Sequence, residues 1–443
     1  MPGEDKDTIF LQFGRHTNSY TWATLIGALE ARGIFERHAL DVVTEPSNMT
    51  QACIRSRGGA ARNNFFLFSV NSYHLQKILK SIQTVSNFRA ENSLEGRMHI
   101  IAGGPHANIY PEEILDAGAD YVFCKEGEMA LVEFFDAFYT WQSGTSSART
   151  GFLPDMVPNC YYRHPGSQKI TCTRDADLVN LDDYPPIALN HRMFRPIEIT
   201  RGCPHGCHFC LTPRIFGYAP RHRSVDNIAC WIERAVKVKY KRVWFMAPNS
   251  FAYGSKGSKP NPPAIEALLK RVRGINGLDE VYFGTFPSEV RPEFVTEAVM
   301  DAVIPHVTND TFVVGAQSAS PAMLKSSHRG HTVEDVWNAV DIITGRGCKV
   351  DIDMIFGLPG ETPDDEALTI EFMKRVLARP GVRIHGHVFM PLPGTVFEHE
   401  APGIMSPEML KIIGQYTKAG RVFGQHFLQV KRAIKLSKNG RIS

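Results

Sequence analysis

Two stretches of strand–helix alternation, separated by a segment rich in Ser, Gly, Pro and Asp from Gln142 to Tyr184, constrain this chain more than any other feature. Short apolar strands alternating with amphipathic helices demand parallel strands with helices laid across them. In the first stretch, strands read at Ile9–Phe13, Asn64–Val70, His99–Ala102 and Tyr121–Phe123. Helices read at Tyr20–Ala31, Leu75–Ser86 and Glu128–Trp141, and Pro111 opens a short one at its favoured first position. This pattern predicts a Rossmann-like, doubly wound α/β sheet, whose ligands sit at the carboxyl ends of the strands. In the second stretch, strands read at Pro196–Thr200, Arg242–Met246, Glu280–Gly284, Thr311–Gly315, Val350–Ile355 and Arg383–Phe389. Six strand–helix units are too few for a closed eight-stranded barrel and predict a partial (β/α)6 barrel. The expected organisation is therefore a Rossmann-like domain over 1–145, a linker over 146–194, a partial barrel over 195–397 and a short C-terminal extension over 398–443. A small hairpin is expected in the linker, around Cys160–Tyr162 and Lys169–Cys172.

At 443 residues the chain exceeds what one core organises, in keeping with two domains. No apolar run approaches the roughly 20 residues that span a bilayer, and the acidic start MPGEDKDTIF lacks a secretory pattern. A cytoplasmic location and no membrane partner are expected. A formal charge of +3 gives no footprint for nucleic acid. The basic residues Lys431, Arg432, Lys435, Lys438 and Arg441 read as a solvated helix or a fraying end before a dock for an acidic partner. Of nine cysteines, Cys53, Cys124, Cys160, Cys172, Cys230 and Cys348 are scattered, and most of them read as buried structural thiols.

The other three are not scattered. RPIEITRGCPHGCHFC ends a strand and sets Cys203, Cys207 and Cys210 at C-x3-C-x2-C. Such spacing lets three thiolates take three corners of a cubane cluster while the fourth iron keeps an open position. An open iron can bind the amino and carboxylate groups of S-adenosylmethionine (SAM) and pass an electron to its sulfonium. Spacing alone leaves zinc open as well, with His205 or His208 as fourth ligand.

The loop resembles the signature of the radical SAM superfamily, including the aromatic Phe209 before the third cysteine. The resemblance implies that the three cysteines hold a 4Fe-4S cluster and that Phe209 packs near the adenine of SAM. It extends along the barrel. RVWFMAPNSFAYG is similar to the second strand, with Asn249 and Ser250 where acidic residues are common, and EVYFGTFPSEV to the third, with Ser288 and Glu289 on the ribose and methionine side. TFVVGAQSAS resembles the fourth strand, where Gln317 and Ser318 are ribose or carboxylate contacts, and leads into Arg329-Gly330-His331-Thr332. KVDIDMIFGLPGETPDD resembles the fifth, making Asp353 a cofactor contact, and RIHGHVFMPLPGTVF the sixth. Each has a plainer reading beside it. Gly357, Gly360 and Gly394 suit loop punctuation, Asp351 and Asp353 suit strand ends without a ligand, and His385 and His387 suit satisfied core histidines.

The first stretch resembles the cobalamin-binding domain that precedes many radical SAM barrels. The matching residues are Ser69, Asn71 and Tyr73, the loop IIAGGPHA with Gly103, Gly104, Pro105 and His106, and ADYVFCKEGEMAL with Glu126, Gly127 and Glu128. Gly103 and Gly104 would clear a path for a nucleotide tail. Ser69 and Asn71 would offer polar partners to corrin amides. The Asp-x-His-x-x-Gly loop that supplies histidine to cobalt is missing. Its place reads GRHTNS, so His16 lacks an orienting carboxylate, and the resemblance implies cobalamin without a base from the protein. A domain that kept the fold and lost the corrinoid is the plainer alternative.

Together the resemblances imply a cobalamin-dependent radical SAM methyltransferase, in which methylcobalamin supplies a methyl group to an unactivated carbon. Holding that carbon is a positional task, and Tyr73, Asn249, Tyr253, His385 and His387 are the candidates at strand ends. The expected substrate is a protein or peptide side chain, such as glutamine or arginine of methyl-coenzyme M reductase, ahead of a small molecule. An external donor such as ferredoxin or flavodoxin would supply electrons under anaerobic conditions. The alternatives are a cyclase or rearrangement enzyme using both cofactors on a small molecule, and a non-catalytic corrinoid or cluster carrier.

Overall fold

The computed structural model describes residues 6–14, 17–56, 63–144 and 152–436, which leaves His16, Lys438 and Arg441 outside the described residues. The chain divides into two compact units, Met1–Arg195 and Pro196–Ser443.

The first unit runs β1 (Asp7–Gln12), α1 (Ser19–Ala31), β2 (His38–Val43), α2 (Met49–Ser56), β3 (Asn64–Ser69), α3 (Leu75–Glu91), β4 (Met98–Gly103), α4 (Pro111–Asp116), β5 (Tyr121–Phe123), α5 (Gly127–Ser143), β6 (Cys160–Arg163) and β7 (Ile170–Cys172). The strands form one sheet in the order β2-β1-β3-β4-β5-β6-β7. Its first five are parallel, an order that reverses direction between β1 and β3, where doubly wound sheets bind ligands. Side chains alternate between two cores, as a sheet covered on both faces requires. Ile9, Leu11, Phe65 and Leu67 pack with Trp22, Phe134, Phe135 and Phe138 on one face. Phe10, Phe66, Phe68 and Ile100 pack with Ile78, Ile82 and Ile114 on the other.

Two expectations change here. The sequence reading passed over β2 and α2. The segment read as a linker carries the hairpin β6–β7, and β6 pairs antiparallel with β5. The hairpin is part of the sheet, so the first unit extends to Arg195. Glu126 ties the following segment down, its Oε2 accepting the Val179 N–H at 2.7 Å.

The second unit runs β8 (Ile197–Glu198), β9 (Thr200–Arg201), α6 (Thr212–Phe216), β10 (Arg221–His222), α7 (Val225–Lys237), β11 (Arg242–Met246), α8 (Pro262–Arg273), β12 (Glu280–Tyr282), α9 (Glu297–Val303), β13 (Thr311–Gln317), α10 (Pro321–Ser326), α11 (Val333–Gly345), β14 (Lys349–Phe356), α12 (Pro363–Leu377), β15 (Val382–Val388), α13 (Pro407–Lys418), β16 (Val422–Phe423) and α14 (His426–Leu436). Parallel strands order as β12-β11-β8 and as β13-β14-β15-β16. A parallel bridge from Val290 to Val314 lies alongside β13. The six expected strands of the partial barrel are present. A seventh, β16, comes from the segment read as an extension and pairs with the edge of β15, so that edge is not left open. Among the described residues, no helix is long and apolar enough to cross a membrane.

Candidate active site

The cysteine loop is pinched at its base. The antiparallel pair β9–β10 brings Thr200–Arg201 against Arg221–His222, so the chain between them must turn back on itself. Gly202 makes the turn at φ +84°, and a Cβ there would lie 2.5 Å from the Ala219 carbonyl oxygen, which restricts the position to glycine. Three backbone bonds fix the loop: Cys203 N–H to Gly217 O (3.1 Å), Cys210 N–H to Cys207 O (3.0 Å) and His208 N–H to Ser327 O (3.0 Å).

Two buried arginines converge on the central sulfur. Arg291 Nη1 stands 3.7 Å and Arg329 Nη1 3.5 Å from Cys207 Sγ. Arg291 is aimed by Glu293, whose Oε1 accepts from Nε at 2.6 Å, and by the Arg329 carbonyl. Arg329 in turn donates from Nη2 to the Gly315 carbonyl at 2.6 Å. Burial pushes the Cys203 and Cys210 thiols up, and the guanidinium groups oppose it. Two guanidinium groups against Cys207 Sγ put positive charge where the sulfurs of a thiolate-ligated cluster would lie, so the donor set fits the cluster. It does not fit a single zinc ion. Four ligands around zinc bring the sulfurs to roughly 3.8 Å from one another. Among the described residues, the one group of three or more His, Cys, Asp and Glu with ligand atoms all within 4.8 Å is Asp353, His385 and His387. His208 instead stacks on His328 at 5.4 Å, and His205 stands edge-on to Phe294 at 6.2 Å.

Beyond the loop, the ends of β13, β14 and β15 bring polar side chains together. The register of β13 on β14 shifts between Gly315 and Gln317, and Gln317 takes φ +73°, rare outside glycine. This bulge aims its side chain at Glu289, with Nε2 donating to Oε2 at 3.3 Å. Gly315 leaves the space, because a Cβ there would lie 2.8 Å from Glu289 Oε2 and 2.9 Å from Gln317 Nε2. Glu289 faces Asp353. Burial, with repulsion from Asp353, pushes the Glu289 carboxyl up to about 8, whereas Asp353, also raised by burial, reaches about 6. Both carboxyls are raised, so the pair holds on to a proton more readily than separate carboxylates would. Asp353 Oδ1 lies 2.8 Å from His385 Nδ1 and 4.0 Å from His387 Nε2.

The other expected contacts separate into two kinds. Ser288 is a staple: its hydroxyl donates to Ala247 O at 2.9 Å, accepts from Ala247 N at 3.1 Å and meets Ser250 Oγ at 2.5 Å. Tyr253 is buried with its hydroxyl on Arg223 O at 2.8 Å, and Ser318 Oγ accepts the Ser320 N–H at 3.1 Å. These groups hold turns rather than present themselves to a ligand. Asn249 is different, because its Oδ1 accepts from Arg291 N at 3.3 Å while its buried Nδ2 has no partner. With Cys203, Pro204 and His205 it lines a small cavity. Phe209 packs against Met323, Leu358, Phe389 and Phe397.

In the first unit, Ser69 ends β3 beside the switch point, paired with Gly103 along the strand, and its hydroxyl makes no hydrogen bond to another described residue. Asn71 caps the next turn, its Oδ1 accepting from His74 N at 3.1 Å, and Tyr73 is exposed on that turn. Gly104, at φ +107°, is glycine because of the chain itself, since a Cβ would meet the Val70 carbonyl oxygen at 2.8 Å. A Cβ at Gly103 would stand 3.1 Å from Phe123 O. Pro105 is exposed, and His106 is buried between Ser72 Oγ (3.0 Å) and Glu113 Oε2 (2.9 Å). Glu126 is engaged with Val179, Gly127 opens α5 against Leu25, and Glu128 is buried on its first turn. The Ser69 hydroxyl, at the carboxyl end of β3 next to the switch point, can meet a polar cofactor edge.

The profile of the Radical SAM superfamily matches residues 197–373. Residues 197–373 are a radical SAM domain. A domain of this superfamily implies a 4Fe-4S cluster and SAM, and the three cysteines with their arginines are the residues that fit the cluster. An uncharacterized protein of Methanocaldococcus jannaschii is 28% identical over 420 residues, covering 84% of this chain and 80% of its own length. A tRNA-2-methylthio-N(6)-dimethylallyladenosine synthase of Clostridium botulinum is 29% identical over 237 residues, covering 53% of this chain and 50% of its own. The chain spans 39% of an uncharacterized Methanopyrus kandleri protein, at 25% identity over 210 residues and 46% of this chain. In fold, the chain is similar to the cobalamin-dependent radical SAM enzyme OxsB solved with aqua-cobalamin (TM-score 0.64, 15% identity, 85% of this chain and 53% of that one). It is also similar to the radical SAM methyltransferase TsrM from Kitasatospora setae, solved with cobalamin and a [4Fe-4S] cluster (TM-score 0.65, 13% identity, 89% and 74%).

Proposed function

We propose that the chain is a cobalamin-dependent radical SAM C-methyltransferase acting on an unactivated carbon in the cytoplasm. One observation carries this reading: a radical SAM domain shares a chain with a doubly wound unit of order β2-β1-β3-β4-β5, and TsrM and OxsB have a similar fold. When bound, the cluster and SAM supply hydrogen-atom abstraction and the corrinoid supplies the methyl group. The chain's own residues bind and orient. Cys203, Cys207 and Cys210 hold the cluster, with Arg291 and Arg329 neutralising its sulfur face. Glu289, Gln317 and Asp353 offer acceptors and donors to the polar groups of SAM at the strand ends, and the orphaned Asn249 Nδ2 is a donor awaiting an acceptor beside the cysteine loop. Ser69 and Asn71, at the end of β3 and on the turn that follows, would meet corrin amides. The substrate class we carry forward is a peptide side chain, glutamine and arginine of methyl-coenzyme M reductase among them, and the electron donor is a ferredoxin or flavodoxin.

The test is anaerobic reconstitution with iron, sulfide and cobalamin, followed by reduction with SAM bearing a deuterated methyl group. The protein fraction and the small-molecule fraction of cells that make the enzyme are supplied separately. The expected result is 5′-deoxyadenosine together with a product heavier by the deuterated methyl, and the loss of both in Cys203→Ala. 5′-Deoxyadenosine without methyl transfer in either fraction would replace methylation by cyclisation or rearrangement. No 5′-deoxyadenosine at all would leave a carrier.

A further inference from the structure

We propose that His385 is a proton acceptor for the substrate, its Nε2 taking the proton of an O–H or N–H group that the substrate carries beside the reacting carbon. The inference rests on the reading above, because it requires a substrate within the barrel. Its basis is an arrangement of hydrogen bonds that fixes the tautomers of two neighbouring histidines in opposite senses.

His385 stands directly across from Asp353 in the register of β14 and β15. Asp353 Oδ1, on a buried carboxyl, faces Nδ1 at 2.8 Å and accepts from it, which puts the ring proton on Nδ1 and the lone pair on Nε2. That Nε2 makes no hydrogen bond to another described residue and is not among the buried orphaned atoms. The side chain is 20% exposed, so the lone pair is reachable. The ring cannot swing freely. It stacks on Phe423 of β16 at 4.8 Å and 13°, and Asp353 holds its Nδ1.

His387, two residues on and 4.2 Å away between ring centroids, has the other tautomer. The Val388 N–H can only donate, and it donates to Gln429 Oε1 at 2.9 Å. That bond turns the amide of Gln429 so that its NH2 faces His387 Nδ1 at 3.2 Å. His387 Nδ1 is therefore the acceptor and Nε2, facing Asp353 at 4.0 Å, carries the proton. An ion shared by Asp353, His385 and His387 would need that nitrogen without its proton, so the hydrogen bonds favour a proton-handling pair over a metal site.

Burial lowers the His385 imidazolium below its usual range, and Glu289 and Asp351 oppose the shift. Arg383, paired with Asp351 at 2.8 Å, and His387 are the other ionisable groups along this face of β15. A neutral ring results at neutral pH. In the step proposed, the X–H bond of the substrate breaks heterolytically, and its electron pair stays on the heteroatom. The proton passes to Nε2 while the imidazolium keeps its Nδ1–H on Asp353, and once the carbon is methylated Nε2 returns the proton to the heteroatom, so that the product leaves neutral and the ring is restored. No further reactant is needed. Substrates with a hydroxyl, amine, amide or guanidinium next to the methylated carbon satisfy the geometry, and a carbon flanked only by hydrocarbon does not.

Two measurements test this on the full-length reconstituted protein. Diethyl pyrocarbonate, which acylates an accessible imidazole lone pair, is expected to label His385 several-fold faster than His387 by peptide mass mapping, with Asp353→Asn slowing the reaction. His385→Gln is expected to lower the methylated product formed per 5′-deoxyadenosine by about tenfold or more and to flatten the acid limb of its pH profile. Labelling of His387 ahead of His385, or an unchanged product ratio in His385→Gln, overturns the proposal. Failure of the underlying reading looks different, because the unmutated protein would then make no methylated product.

Discussion

At the scale of single residues, His99 carries an acid liability that can be measured. It lies on β4 with its ring stacked on Phe65 at 5.0 Å and edge-on to Phe138 at 4.9 Å, and its Nε2 is buried without a partner. Burial, reinforced by the charge of Arg89, pushes its pKa down to about 4. An unfolded histidine takes up its proton near pH ~6.5, so as pH falls the unfolded chain binds the proton first. The associated stability is complete above about pH 6.5 and drains away toward the folded value, by on the order of 3 kcal/mol. His99→Phe, which keeps the ring stack, should flatten this part of the acid dependence. Urea midpoints of the first unit at about pH 4.5 and about pH 7 should differ less in the variant, and an unchanged difference would place the acid sensitivity elsewhere. Single residues also show what a sequence can reveal. Cys203, Cys207 and Cys210 were legible because their chemistry is encoded in local spacing. The approach of Arg291 and Arg329 to Cys207 was not, since they reach it from 84 and 122 residues away: Arg329 stood out only as part of Arg329-Gly330-His331-Thr332, and Arg291 not at all. Gln317 was legible as a polar strand end, but its left-handed backbone comes from a bulge that only the pairing with β14 creates.

At the scale of elements, the cysteine loop depends on one turn. Gly202→Ala would force a side chain into the Ala219 carbonyl and into a backbone conformation that L-residues avoid. We expect at least about 1–3 kcal/mol of local destabilisation, seen as a marked loss of iron and acid-labile sulfide per chain with the far-ultraviolet circular dichroism retained. Full iron content in that variant would show that β9–β10 does not govern the loop. The elements that were read correctly, β1, β3, β4, β5 and the six barrel strands, are those whose central residues are buried enough to stand out as apolar runs. Strand β2 (HALDVV) buries only its two ends at the sheet edge, so its sequence offers no continuous signal. Strand β16 is two residues long and exists through its pairing with β15. The hairpin β6–β7 was visible as a hairpin. Its membership of the sheet was not, because that is decided by contact with β5 across the chain.

At the scale of the whole molecule, two units with separate cores predict two calorimetric transitions rather than one. Cobalamin should raise one transition, that of Met1–Arg195, and SAM on the clustered protein should raise the other. A ligand present at about a hundredfold over its Kd adds roughly 2.7 kcal/mol to the unit that binds it. A single transition moved equally by both ligands would contradict this assignment of ligands to units. The backbone ties of the cysteine loop, from Cys203 to Gly217, from Cys210 to Cys207 and from His208 to Ser327, involve no sulfur and no metal. These ties fix the path of the loop through groups that need no iron, so a variant that loses only a cysteine sulfur should keep the loop's course while losing the metal.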